Sequence, residues 1–404
     1  MTSFADLRAS IPAMADTIYL NSGWSGPSSR AVLEAMQDVL ETEASVGPAS
    51  VEGVRLAREK TTLALPVIAD LIGGDSDEVA VTHGTTEGVN LVLFGINWQR
   101  GDELVTCDLE HGAIMNPTYV LEERFGVVVK RVKVPPAATT QEMLDLYQEA
   151  ITAKTKLVAL SHIQFSVGLR LPVEDICEMA HRAGALVVLD GAQTGGHIDI
   201  NVRKLGADFY AISGQKWLCG PQATGAFWAD PDKIRMINPP WQTHKIADER
   251  AESGETAGAP HMLQRFRLAS QSPALVAGFT KAIELMMDLQ GPGGARDKGT
   301  DAIEKHANDL ADRLRNGLNE LGACKIIGPN GGPESCGLVA VSLEGWQPSQ
   351  VVNELWDRWR IAGRAVRYPA AVRFSMAAYN QESDADAVVD ALRVLSKEEP
   401  PIPL

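Results

Sequence analysis

The sequence predicts an α/β protein: a mostly parallel seven-stranded sheet between helices, followed by a small C-terminal α+β domain. Three observations carry this. Between about residues 76 and 230, short β-branched runs alternate with amphipathic stretches. Those runs are almost continuously apolar, as expected of parallel strands covered on both faces. Beyond residue 291 the pattern changes to long helix, strand, helix, strand, helix.

In order, the strand-like runs are "EVAVTH", "ELVTCD", "GVVVKRVKV", "KLVALSHI", "ALVVLD", "DFYAIS" and "GAFWAD". The helical stretches between them include "TTEGVNLVLFGIN", "QEMLDLYQEAI" and "EDICEMAHRAG", the last stopped by Gly184. A polar, Gly-rich segment over residues 247–260 reads as a surface loop. A helix near "SPALVAGFTKAIELMMDLQ" follows, and "GPGG" marks a domain boundary. Residues 16–290 form the expected large domain, and 1–15 with 291–404 the small one. The latter reads as helix "TDAIEKHANDLADRLRNGLNELG", strand "GLVAVSLEG", helix "QVVNELWDRWR", strand "AVRFSMAAY" and helix "ADAVVDALRVL".

The 404 residues carry a net charge of −15, which disfavours nucleic acids and anionic membranes as partners. No signal peptide or membrane span is read, and five scattered cysteines fit a reducing cytoplasm without disulfides. Nothing has metal-ligand spacing, so no metal is expected.

Three places carry chemistry. In "VTHGTTEGVN" a strand ends at Thr82, Gly84 turns, and Thr85 and Thr86 open a helix; free N–H groups with two hydroxyls make an anion site. In "VVLDGAQTGGHIDI", Asp190 closes an apolar strand at the sheet edge where ligands of α/β sheets bind, with Gln193 three residues on. In "ISGQKWLCGP", Lys216 follows the next strand and is flanked by Ser213 and Gln215. An amine in a partly dry pocket is a nucleophile towards carbonyls. A phosphate site, a strand-end acid and such a lysine are what pyridoxal 5'-phosphate requires.

The order of "YLNSGWSGP", "GTTEGVN", "DLEHGAIMNP", "HIQFSVG", "DGAQTGGHIDI", "GADFYAISGQKWLCGP" and "RFSMAAYN" resembles the fold-type I pyridoxal phosphate enzymes of the class V aminotransferase and cysteine desulfurase superfamily. In pattern it is most similar to the cystine C–S lyase and isopenicillin-N-epimerase-like branch. The resemblance implies that Thr85 and Thr86 bind the phosphate and that His111 stacks on the ring. Asp190 then meets the ring nitrogen and Gln193 the ring hydroxyl. Ser213 and Gln215 complete the phosphate cup, although relatives often have histidine where Gln215 stands. Lys216 makes the Schiff-base link. Ser270 falls where relatives have a Gly-Thr pair reaching the partner subunit's phosphate, which implies a homodimer. Arg373 would grip the α-carboxylate of an amino-acid substrate, with Asn21 beside it and Arg364 as a second arginine. Either Gln164 or Ser166 is expected near the ring. Trp24, Trp241 and Tyr368 are pocket or packing residues, and the 247–260 loop is a candidate lid.

Cysteine desulfurases of this family carry a nucleophilic cysteine between the positions matching Arg364 and Arg373. Here that stretch is "AVRYPAAV", without cysteine. The expectation is therefore a lyase and not a persulfide-forming desulfurase. It would perform β-elimination on a cysteine-derived substrate, giving keto acid, ammonia and a sulfur product. Aminotransferase and epimerase outcomes use the same residues and stay open.

Overall fold

The computed structural model describes residues 2–241, 262–268, 270–291 and 299–401. The expected 247–260 loop, and all of the "GPGG" boundary beyond Gly291, lie outside the described residues.

The seven apolar runs form one sheet: β1 (Val79–Thr82), β2 (Glu103–Cys107), β3 (Val128–Val132), β4 (Thr155–Ser161), β5 (Leu186–Asp190), β6 (Phe209–Ser213) and β7 (Gly225–Ala229). Their order is β1-β7-β6-β5-β4-β2-β3. Only β7 runs against the rest, pairing antiparallel with both β1 and β6. Successive residues of a strand point to opposite faces. Accordingly Val158, Leu160, Val187 and Leu189 join one core, whereas Leu157, Ala159, Leu186 and Val188 join the other. Both faces are dry, which is why the strands read as unbroken apolar runs.

The C-terminal sheet is β8 (Cys324–Ile326), β9 (Leu338–Leu343), β10 (Arg364–Arg367) and β11 (Ala370–Ser375), ordered β8-β9-β11-β10 and wholly antiparallel. Helices Gly299–Asn319, Pro348–Trp359 and Glu382–Leu395 contribute to a third core with it.

Two long helices, Arg30–Val46 and Val51–Ile72, precede the sheet and pack against helix Pro273–Met287. Each starts on a serine whose hydroxyl accepts a first-turn N–H, Ser29 from Val32 and Ser50 from Gly53.

The extended segment before them joins the two sheets. Ile18–Tyr19 pairs with Ile361–Ala362. The Ser375 N–H donates to the Leu20 carbonyl at 2.8 Å, and the Gly23 N–H donates to the Ser375 hydroxyl at 3.0 Å. This brings "YLNSGWSGP" across the C-terminal ends of β4, β5 and β6, where ligands of open α/β sheets bind.

Candidate active site

At that edge lies a cleft of about 680 Å³. It is lined by Asn21, Thr85, Thr86, His111, Asp190, Gln193, Ser213, Gln215, Lys216, Arg364 and Arg373, together with Trp24 and Phe165. All the site residues expected from the sequence are brought together except Ser270, which stands outside the cleft and is exposed.

The local fold explains each placement. Gly84 lies at φ +145°, which glycine adopts readily, and the turn it makes opens helix Thr85–Leu93 onto the cleft. Thr85 Oγ1 and Ser213 Oγ are 2.7 Å apart, so hydroxyls from two elements meet. Asp190 ends β5, is buried, and accepts the Ala192 N–H at 2.8 Å. Burial pushes its carboxyl up, opposed by Lys216 and that N–H.

Lys216 lies in the turn after β6. The Gly26 N–H donates to the Gln215 carbonyl at 2.7 Å, and a Cβ on Gly26 would stand 2.4 Å from the Lys216 carbonyl oxygen. The glycine of "WSGP" is what lets that segment cross the lysine turn. Desolvation lowers the Lys216 amine to about 8; Arg373 and Arg364 act in the same direction, against Asp190.

The His111 side chain accepts the Ala113 N–H at 3.1 Å through Nδ1, so the neutral ring carries its proton on Nε2. Desolvation first, then Lys216, Arg364 and Arg373, lower it to about 4. Its ring meets Phe165 edge-on, with centroids 5.1 Å apart. Gln193 is fixed at both ends: its carboxamide nitrogen donates to the Gly23 carbonyl at 2.9 Å, and its oxygen accepts from Trp217 Nε1 at 2.9 Å.

Arg373 is 1% exposed, donates to the Phe165 carbonyl at 2.5 Å and reaches Asn21 Oδ1 at 3.5 Å. Its Nε and Arg364 Nη1 are buried without hydrogen-bond partners. Arg364 lies over the ring of Trp24, 4.3 Å from its centre. Such unsatisfied guanidinium groups fit an anionic ligand. With the hydroxyls, the buried acid and the softened amine, this donor set fits pyridoxal phosphate plus an amino-acid carboxylate.

One expectation changes, that for Gln164 and Ser166, and the alternatives left open for the aromatic residues narrow. Neither Gln164 nor Ser166 lines the cleft; both are wholly buried, and Gln164 turns to Glu110. Phe165 between them faces the cleft from a turn closed by the Gly168 N–H, which donates to the Gln164 carbonyl at 2.9 Å. Trp241 packs on the sheet core and Tyr368 is exposed, so neither lines the cleft, whereas Trp24 does. Glu110 was not singled out by the sequence: its partners come from β4 and the loop beyond, about 50 residues away, so no local pattern marks it.

The family model for class V aminotransferases matches residues 18–388. The chain belongs to that family. A probable cysteine desulfurase of Mycolicibacterium paratuberculosis is 31% identical over 82% of this chain, which spans 48% of that longer relative. A probable cysteine desulfurase of Halalkalibacterium halodurans is 28% identical over 93% of this chain and 92% of its own. Among solved structures, apo cysteine desulfurase from Thermococcus onnurineus NA1 has a TM-score of 0.85 at 26% identity, covering 98% of this chain and 99% of its own. The fold is also shared with a C-DES variant holding glycine linked to its pyridoxal phosphate, at TM-score 0.86 and 23% identity over 96% of this chain and 98% of that one.

These relatives overturn the expectation that desulfurase activity is excluded. Several curated relatives aligned over most of the chain are named cysteine desulfurases. The exclusion rested on one stretch lacking cysteine. A missing thiol there removes one sulfur acceptor and leaves the machinery that breaks a C–S bond untouched.

Proposed function

We propose that this chain is a pyridoxal-phosphate-dependent enzyme that desulfurates cysteine or a cysteine derivative, with the sulfur passing to a thiol that enters from solution. Two things support the reading: the convergence of Lys216, Asp190 and Arg373 on one cleft, and the desulfurase names of relatives spanning most of the chain. The cofactor is pyridoxal phosphate, which when bound supplies an electron sink for charge developing on the substrate.

In this reading the chain's own groups do the rest. Thr85, Thr86, Ser213 and Gln215 hold the phosphate. Asp190 keeps the ring nitrogen protonated, and neutral His111 covers the ring face. The second amide hydrogen of Gln193 is left for the ring hydroxyl. Lys216 is the covalent anchor. With the cofactor bound, its nitrogen, of lowered basicity, would take the substrate's α-proton. Arg373 and Asn21 hold the α-carboxylate.

None of the described residues lining the cleft is a cysteine. Cys219, three residues from Lys216, is buried, and desolvation pushes its thiol up to about 12. The acceptor is therefore external: cysteine and a free thiol give alanine and the persulfide of that thiol. We also read the chain as a homodimer in which exposed Ser270 serves the partner's phosphate site.

The test is incubation with L-cysteine and dithiothreitol, measuring alanine and reducible sulfur together. Equal amounts, rising with added thiol, are expected. Pyruvate and ammonia without alanine, or turnover only with an added keto acid, would contradict the reading.

A further inference from the structure

Glu110 precedes His111 and is 6% exposed. Its Oε1 accepts the Ser161 backbone N–H at 2.9 Å and Gln164 Nε2 at 2.7 Å; its Oε2 accepts the Ser161 hydroxyl at 2.5 Å. Ser161 is the last residue of β4 and is the register partner of Asp190 on β5. The N–H of the next residue, His162, donates to the Asp190 carbonyl at 3.0 Å. Glu110 thus grips the strand end beside Asp190, while its own backbone runs directly into His111.

The titratable groups facing it are Asp190 from β5, the Cys107 thiol from β2 and the Tyr147 hydroxyl from helix Thr140–Ala150. Among the described residues none makes an ion pair with it. Burial raises its carboxyl to about 7, against the donors from Ser161 and Gln164, and Asp190 adds to the rise. A buried carboxyl without a cation is costly when charged, and a glutamine of the same shape would fill the same space. Two neighbouring acids also share their titration, since each disfavours ionisation of the other.

We propose that Glu110 is a positioning residue that ties the His111 ring to the Asp190 edge of the sheet and whose charge faces Asp190, the acid that acts on Lys216. The inference rests on reading His111 and Asp190 as cofactor contacts. It separates two effects of the same side chain: a mechanical tie, made by its oxygens, and an electrostatic one, made by its charge.

E110Q keeps an acceptor for Ser161 and removes the charge, whereas E110A removes both. Cofactor uptake by the parent at Lys216 is measured first; a parent that takes none overturns the site reading and this inference with it. Given uptake, the visible absorbance of each holoenzyme is titrated between pH 5 and 9, and cofactor affinity and visible circular dichroism are recorded. E110Q removes the charge facing Asp190, so its titration is expected to shift from the parent's by about half a pH unit or more. Its cofactor affinity is expected to stay within about threefold of the parent. E110A is expected to lose about tenfold in affinity and to change the dichroism of the bound cofactor as the His111 ring is released. Ser161→Ala, which deletes only a hydroxyl, is expected to change the dichroism in the same sense at smaller amplitude, and it replaces E110A if that variant does not fold. An E110Q titration matching the parent, with unchanged dichroism in E110A or Ser161→Ala, overturns the inference while leaving the site reading intact.

Discussion

Arg364 and Arg373 stand directly opposite each other across the antiparallel strands β10 and β11. Like charges in that position repel. Burial lowers Arg373 to about 9, Arg364 adds to the fall, and among the described residues neither forms a salt bridge with a carboxylate. The two guanidinium groups therefore repel each other, and in the proposed reading a substrate carboxylate relieves that repulsion.

Carboxylate ligands should accordingly stabilise the apo-protein. Acetate or succinate is expected to raise its Tm with concentration, following mass action. In Arg373→Gln the response should vanish and KM for the amino acid should rise about a hundredfold, the worth of two charge-assisted hydrogen bonds. Thermal scans and steady-state kinetics check both. An undiminished response in the variant would place the carboxylate elsewhere.

Gly23 supplies a steric test of the same site. A Cβ there would lie 2.9 Å from Arg373 Nη2 and 2.9 Å from Ser375 Oγ. Gly23→Ala is expected to displace the guanidinium, raising KM at least about tenfold while cofactor affinity stays near the parent's. Absorbance titration with pyridoxal phosphate separates the two quantities. Equal losses in both would mean that the segment, not the arginine, had moved.

The Lys216 amine is lowered to about 8, so its nucleophilic form is already populated near neutrality. Cofactor uptake by the apo-protein should accelerate as pH rises and level off above about 8. An ordinary lysine, near 10.4, would still be accelerating at pH 9.5. Stopped-flow absorbance between pH 6 and 10 distinguishes these curves.

His111 is lowered to about 4, mainly by desolvation. Its imidazole is expected to remain neutral through pH 5.5 and to gain its proton only in more acid solution. Imidazole carbon–proton NMR signals, assigned with His111→Phe, report this directly. Titration near 6.5 would show a solvated, unburdened ring.

The legible parts of this molecule are those whose partners lie close in sequence or repeat regularly. Parallel strands announce themselves because both faces are dry, as with Leu186–Asp190, where every residue is buried. Lys216, Asp190 and Thr85 sit at strand ends or helix starts, where local pattern and position coincide. The short strand Cys324–Ile326 carries no buried residue, and Arg364–Arg367 keeps only Val366 buried, so neither has an apolar run to read. Glu110 and Phe165 owe their roles to neighbours brought by other strands. The assignment that failed, the exclusion of desulfurase chemistry, treated one missing thiol as a statement about the whole reaction.

The most direct measurement of the central claim is borohydride reduction of the holoenzyme followed by peptide mass spectrometry. One pyridoxyl adduct is expected, on the peptide containing Lys216, together with its loss in Lys216→Ala. An adduct on another lysine, or a Lys216→Ala protein that retains the adduct and turns over as the parent does, would contradict it.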